Sequence, residues 1–264
     1  MSPRDASPPV LRAEGLVKAF GGIRAVDGVD LSLDAGTISA LIGPNGAGKT
    51  TCFHLLAGQL RPDAGRLWLD GRDISRLEPH RRAALGLART FQIAGVFPSL
   101  SLADNLALAA EAPRRPRPGL RRRAAPDAAT LLARVGLDLD PGRPAAGLSY
   151  GQVKRLELAM ALAGRPRLLL MDEPTAGLDG PERDRLLGLV AGQVAEQGLT
   201  VLFTEHDVAA VFAHAGRVLA MADGRLIADG PPAAVAADPA VQRLYLGRPS
   251  TGSATGFAPS GQDV

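Results

Sequence analysis

Short, almost unbroken apolar runs punctuate the chain: TISALI at 37–42, LLLM at 168–171 and LTVLF at 199–203. They lack the polar alternation of a sheet with one wet face, and they are too short for helices. Runs of this kind predict strands buried on both faces of a parallel sheet. Helix-compatible segments follow each of them, the first from Lys49 to about Gln59. Nearer the N-terminus, VLRAEGLV and DGVDLSL are strand-like pieces broken by Gly and Asp, and LWLDGRD at 67–73 predicts another strand and turn. RVLAMADGRLIADG at 217–230 predicts a hairpin turning at Asp223-Gly224. Alternating strands and helices predict an α/β fold with a mainly parallel sheet.

Between Gln92 and Leu148 the pattern changes to helix and loop, as for a helical subdomain inserted at about 93–154. Within it PRRPRPGLRRRAAP, 113–126, reads as a solvated charged loop, with contact to an anionic membrane leaflet as a second reading. Pro3, Pro8 and Pro9 oppose regular structure in a leader over 1–9, and residues 248–264 have the composition of a disordered tail. One globular unit over 10–247 remains.

Composition narrows the function classes. The single cysteine, Cys52, excludes an internal disulfide framework and any cysteine-built metal cluster. No apolar run reaches the ~18–20 residues of a membrane span, and the N-terminus lacks the organisation of a secretory signal. A net charge of +3 with 4% aromatics gives no basis for specific nucleic-acid binding. Only three of the thirty basic residues are lysine, Lys18, Lys49 and Lys154, so each lysine invites a chemical reason.

Lys49 has one. GPNGAGKT, Gly43 to Thr50, follows a buried strand and opens a helix, the setting in which G-x-x-x-x-G-K-[ST] binds nucleotide phosphates. Gly43, Gly46 and Gly48 permit turns that side chains would obstruct, so that backbone N–H groups of the loop, those of Asn45 and Ala47 among them, converge on phosphate oxygens; Pro44, with no N–H of its own, lies in the same loop. Lys49 supplies a point charge to the β/γ phosphates and Thr50 a hydroxyl for Mg²⁺.

Two acids end the run LLLMDEP. Asp172 emerges at the C-terminal edge of its strand, where open α/β sheets bind ligands, and Glu173 follows. Beside a phosphate loop, Asp172 suits the Mg²⁺ shell and Glu173 the polarisation of attacking water. His206, in TEHD after another buried strand, is placed for the γ-phosphate. Gln92 acquires a role only if a metal-bound phosphate lies nearby. LSYGQ, 148–152, carries a capping box: Ser149 is the N-cap and Gln152 stands three residues on. It also directs a helix N-terminus at whatever lies in front of it, so cap and anion site are both open readings.

Taken together, these motifs resemble the ATP-binding subunit of ABC transporters over residues 10–247. The resemblance implies a P-loop NTPase (RecA-like) core with an antiparallel β subdomain and the inserted helical subdomain, and ATP and Mg²⁺ as cofactors. It implies that Phe20 stacks on adenine, that Gly43 through Thr51 hold the phosphates, and that Gln92 touches the metal or its water. Asp172 would support Mg²⁺, Glu173 would be the catalytic base, Asp179 in AGLD would communicate across a dimer, and His206 would contact the γ-phosphate. LSYGQ is similar to the family's LSGGQ signature, which clamps ATP held by a second ATPase subunit; Ser149, Tyr150, Gly151 and Gln152 would do so here. Tyr150 departs from the glycine common at that position.

VKAFGGIRAVDGVDL, ARTFQIAGVFPSLSLADNL, LSYGQVKRLELAMAL, MDEPTAGLD, FTEHDV and RLYLG are similar to the ATPases of branched-chain amino acid importers. That implies two permease subunits, a substrate-binding protein acting indirectly, and a peripheral place on the cytoplasmic face of the cell (inner) membrane. Urea, amide and lipopolysaccharide transport ATPases are near relatives. A soluble ABC ATPase acting on ribosomes or DNA is a different class; the single cassette, and a segment between Gln92 and Leu148 too short and Pro-broken for a long coiled coil, argue against it.

Overall fold

A computed structural model describes residues 8–90, 95–111 and 127–245. Gln92, the basic 113–126 segment, the first seven residues and the tail from 248 lie outside the described residues. The strands are β1 (Leu11–Phe20), β2 (Ile23–Leu33), β3 (Ile38–Ile42), β4 (Ala64–Leu69), β5 (Arg72–Asp73), β6 (Leu87–Arg89), β7 (Leu168–Asp172), β8 (Thr200–Thr204), β9 (Arg217–Ala222) and β10 (Arg225–Gly230). The helices are α1 (Lys49–Ala57), α2 (Pro79–Ala83), α3 (Leu102–Glu111), α4 (Ala128–Arg134), α5 (Tyr150–Ala163), α6 (Gly180–Gln197), α7 (Val208–His214), α8 (Pro232–Ala237) and α9 (Pro239–Tyr245).

Two sheets result. One is antiparallel, in the order β2-β1-β4-β5. The other runs β10-β9-β3-β8-β7-β6, parallel from β9 to β6, with β10 added antiparallel through the Asp223-Gly224 turn.

The apolar runs are continuous because both faces of the parallel sheet are covered. In β7, Leu169 and Met171 join one hydrophobic cluster while Leu168 and Leu170 join the other. In β8, Val201 and Phe203 face the first cluster and Leu202 the second. The first cluster packs against α5, α6 and the helical layer; the second packs against α1 and the antiparallel sheet. Period-2 geometry thus splits one apolar run between two cores, at about 1.5–3 kcal/mol per side chain removed from water.

Two boundaries differ from the sequence expectation. Helix α1 stops at Ala57 because Gly58 takes a left-handed conformation (φ 83°), and the Arg82 guanidinium donates to the freed carbonyls of Leu55 and Leu56, each at 2.7 Å. Arg82 is buried, and burial brings its pKa down to about 10. Strand β8 extends one residue further than expected, to Thr204, whose hydroxyl belongs to the site described below. In the helical layer α3 and α4 pack on α5, and buried Asn105 bonds Phe97 through both its N–H and its C=O, fixing the approach to α3. Helix α5 runs unbroken through residue 154 to Ala163, so it belongs both to this layer and to the main core.

Candidate active site

Parallel strands bring the predicted residues to one edge. Leu41 of β3 is level with Thr204 of β8, and Thr204 is level with Asp172 of β7. The loop after β3, the Asp172-Glu173 pair and the Thr204–His206 segment therefore emerge side by side at the C-terminal end of the sheet, where sequence-distant groups converge on a ligand.

The loop Gly43–Gly48 turns directly into α1. Gly48 has φ 99°, and a Cβ there would lie 2.1 Å from the Ala25 carbonyl oxygen, so only glycine fits. Lys49 is buried; its Nζ donates to the carbonyls of Gly43 at 2.7 Å and Pro44 at 3.1 Å. Burial pulls the ammonium below the ordinary lysine range, while the carboxylates of Glu173 and Asp172 oppose that shift. Both acids are thus electrostatically coupled to this lysine across the sheet edge. Pro44, Asn45, Gly46 and Thr50 are exposed, Thr51 is half-buried, and Ala47 is buried.

Asp172 is buried and both its oxygens are engaged. The Thr204 hydroxyl donates to Oδ1 at 2.7 Å and Arg89 donates to Oδ2 at 3.0 Å. Neither partner was singled out from the sequence. The available signals were Thr204 closing an otherwise apolar strand and Arg89 standing in LART before Gln92.

Glu173 has φ 47°, a left-handed conformation unusual outside glycine, and its N–H is held by the Thr204 hydroxyl at 3.0 Å. The side chain meets His206, with Nε2 2.7 Å from Oε1. Beneath them buried Glu205 accepts from both the N–H (2.9 Å) and the hydroxyl (2.6 Å) of Thr175, anchoring the turn after Glu173. Glu205 is a further group that sequence reasoning missed, hidden beside the more conspicuous His206.

No group of three or more His, Cys, Asp or Glu side chains forms a protein-only metal cage among the described residues. The oxygen donors present, the exposed Thr50 hydroxyl and the Asp172 carboxylate, instead fit a magnesium ion that takes most of its ligands from phosphate and water. Phe20 is 48% exposed at the end of β1, across the Gly21-Gly22 turn from Ile23, with the Lys18 ammonium 5.6 Å from its ring centroid.

LSYGQ opens α5. The capping box is present: the Gln152 N–H bonds the Ser149 hydroxyl at 3.3 Å, and the Ser149 N–H bonds the Gln152 side chain at 2.9 Å. Among the described residues no hydrogen bond joins 149–152 to 43–51. Asp179 caps α6, accepting from the Glu182 N–H at 2.9 Å. No described helix is long and apolar enough to cross a membrane.

The ABC transporter family model matches residues 26–176, which include the loop 43–51, LSYGQ and the Asp172-Glu173 pair, but not Phe20 or Thr204–His206. The chain belongs to the ABC transporter family. It is an ATP-binding cassette and an ATPase. A second model, described as a branched-chain amino acid ATP-binding cassette transporter, matches residues 225–250. The cassette is 38% identical over 252 residues to the high-affinity branched-chain amino acid transport ATP-binding protein BraF of Pseudomonas aeruginosa, covering 91% of this chain and 99% of that protein. It is 42% identical over 249 residues to the ribose import ATP-binding protein RbsA 2 of Streptomyces avermitilis, covering 92% of this chain but only 48% of that one. The solved ADP conformation of MJ1267, an ATP-binding cassette of an ABC transporter, superposes with a TM-score of 0.80 at 30% identity, covering 91% of this chain and all of that one.

Proposed function

We propose that this cassette powers an importer of branched-chain amino acids, working as one of two cassettes beneath two separate permease subunits at the cytoplasmic face of the membrane. The observation that carries the substrate class is the end-to-end similarity to BraF, supported by the 225–250 match. Against it stands the ribose reading, favoured by a higher identity to a protein of which this chain spans about half. Separation of the two needs transport itself. Reconstituted with the membrane proteins that co-purify with it, the chain is expected to drive ATP-dependent uptake of labelled leucine and not of ribose. Ribose uptake, or recovery of the chain with ribosomes or nucleic acid and no membrane protein, would overturn the assignment.

In the reaction we assign, Gly43–Thr51 cradle the phosphates, and Lys49 moves its ammonium from the Gly43 and Pro44 carbonyls to the β/γ oxygens. Phe20 stacks on the adenine. Thr50 and Asp172 would hold Mg²⁺, with Gln92 as a further ligand; the ion supplies charge neutralisation at the β and γ oxygens. Glu173 orients water and takes its proton, and His206, already 2.7 Å from that carboxylate, holds the base in place and reaches the γ-phosphate. Within the signature 149–152, Ser149 and the Gly151 N–H meet the ATP of the other cassette. Asp179, the N-cap of α6, communicates across the dimer in the same reading. The apolar groove of about 390 Å³ between α2, β6 and α5, which borders Gly95, is where we place the permease contact.

A further inference from the structure

Tyr150, the residue that departs from the common signature, is not idle. Its ring is 51% exposed, yet one edge and the hydroxyl are engaged inside the same chain. The hydroxyl donates to the Ala176 carbonyl at 3.0 Å. The ring lies against Gly177, where a Cβ would stand 3.2 Å from Tyr150 Cε1 and where φ is 78°, so this turn is shaped for glycine beneath a ring. The Lys154 ammonium stands 5.6 Å from the ring centroid on the next turn of α5. Ala176 itself returns to the catalytic segment, its N–H bonding the Glu173 carbonyl at 3.1 Å. Two hydrogen bonds therefore connect the start of α5 to the backbone of Glu173.

We propose that Tyr150 is a positioning residue that links the two ATP sites. Rigidly tied to Ala176–Gly177, the start of α5 cannot shift toward a neighbour's nucleotide without moving the turn that carries the chain's own Glu173. A glycine at 150 has neither ring nor hydroxyl and provides no such link. The proposal rests on the reading above, that Ser149–Gln152 contact ATP held by the other cassette.

The test uses the full-length chain, Tyr150→Phe (ring kept, hydroxyl removed) and Tyr150→Gly, with Ser149→Ala as control. Losing one hydrogen bond is expected to lower kcat roughly two- to tenfold in Tyr150→Phe, and further in Tyr150→Gly. ATP affinity of the monomer should stay at the wild-type value in both, and so should Tm in Tyr150→Phe, because the Ala176 carbonyl regains water. Amide exchange should accelerate at Ala176–Leu178 alone. Wild-type kcat in both Tyr150 variants overturns the link, as does a fall in kcat matched by lower Tm and faster exchange throughout α5. Should Ser149→Ala keep full activity, the underlying signature reading fails instead, whatever the Tyr150 variants do.

Discussion

In the proposed reaction the chemistry rests on a carboxylate held by its neighbours. Glu173 sits in a strained backbone conformation, fixed from behind by Thr204 and from the side by His206. Strain of this sort persists only where surrounding contacts over-determine it. If Glu173 is the base, Glu173→Gln removes proton acceptance while preserving shape. Turnover should fall at least about 100-fold, the lower range for a general base, with Mg-ATP still bound at wild-type affinity. Single-turnover hydrolysis alongside equilibrium ATP binding checks this; near-normal turnover would remove Glu173 from that role.

At the scale of elements, the start of α5 is a cap and, in the proposed reaction, a phosphate contact, and one substitution can separate the two. Ser149 caps the helix and, in the proposed reaction, faces a phosphate. Ser149→Ala loses both, costing about 1 kcal/mol of stability and most ATPase activity. Ser149→Asp keeps the cap, since aspartate caps as well as serine, but sets a negative charge where the γ-phosphate belongs. Wild-type Tm with lost ATPase in Ser149→Asp is the expected result of thermal melts and phosphate release; retained ATPase would leave only the cap.

This element also marks how far the sequence could be read. The capping box was legible because it is local, a matter of residues three apart. The parallel strands were legible because double-sided burial erases their polar alternation, and the turn into α1 because its glycines stand between an apolar run and a helical one. What escaped were contacts made across the fold: Arg89 on Asp172, Glu205 under Thr175, and Tyr150 on Ala176. Each joins residues roughly 25 or more positions apart, with a periodicity that gives no sign of them.

At the scale of the whole molecule, the loop 43–51 leads into α1 and LSYGQ opens α5, and in the proposed reaction a single cassette presents two half-sites. Two cassettes facing each other would complete both, burying the phosphates of two nucleotides where electrostatic contacts are strongest. The most direct test is the mass of the Glu173→Gln chain by light scattering, with and without Mg-ATP, alongside whichever cassette is recovered with it. ATP is expected to double the mass to a two-cassette species holding two nucleotides, and adding Ser149→Asp to abolish the doubling without abolishing ATP binding. A saturated, ATP-bound single cassette that never pairs would contradict it.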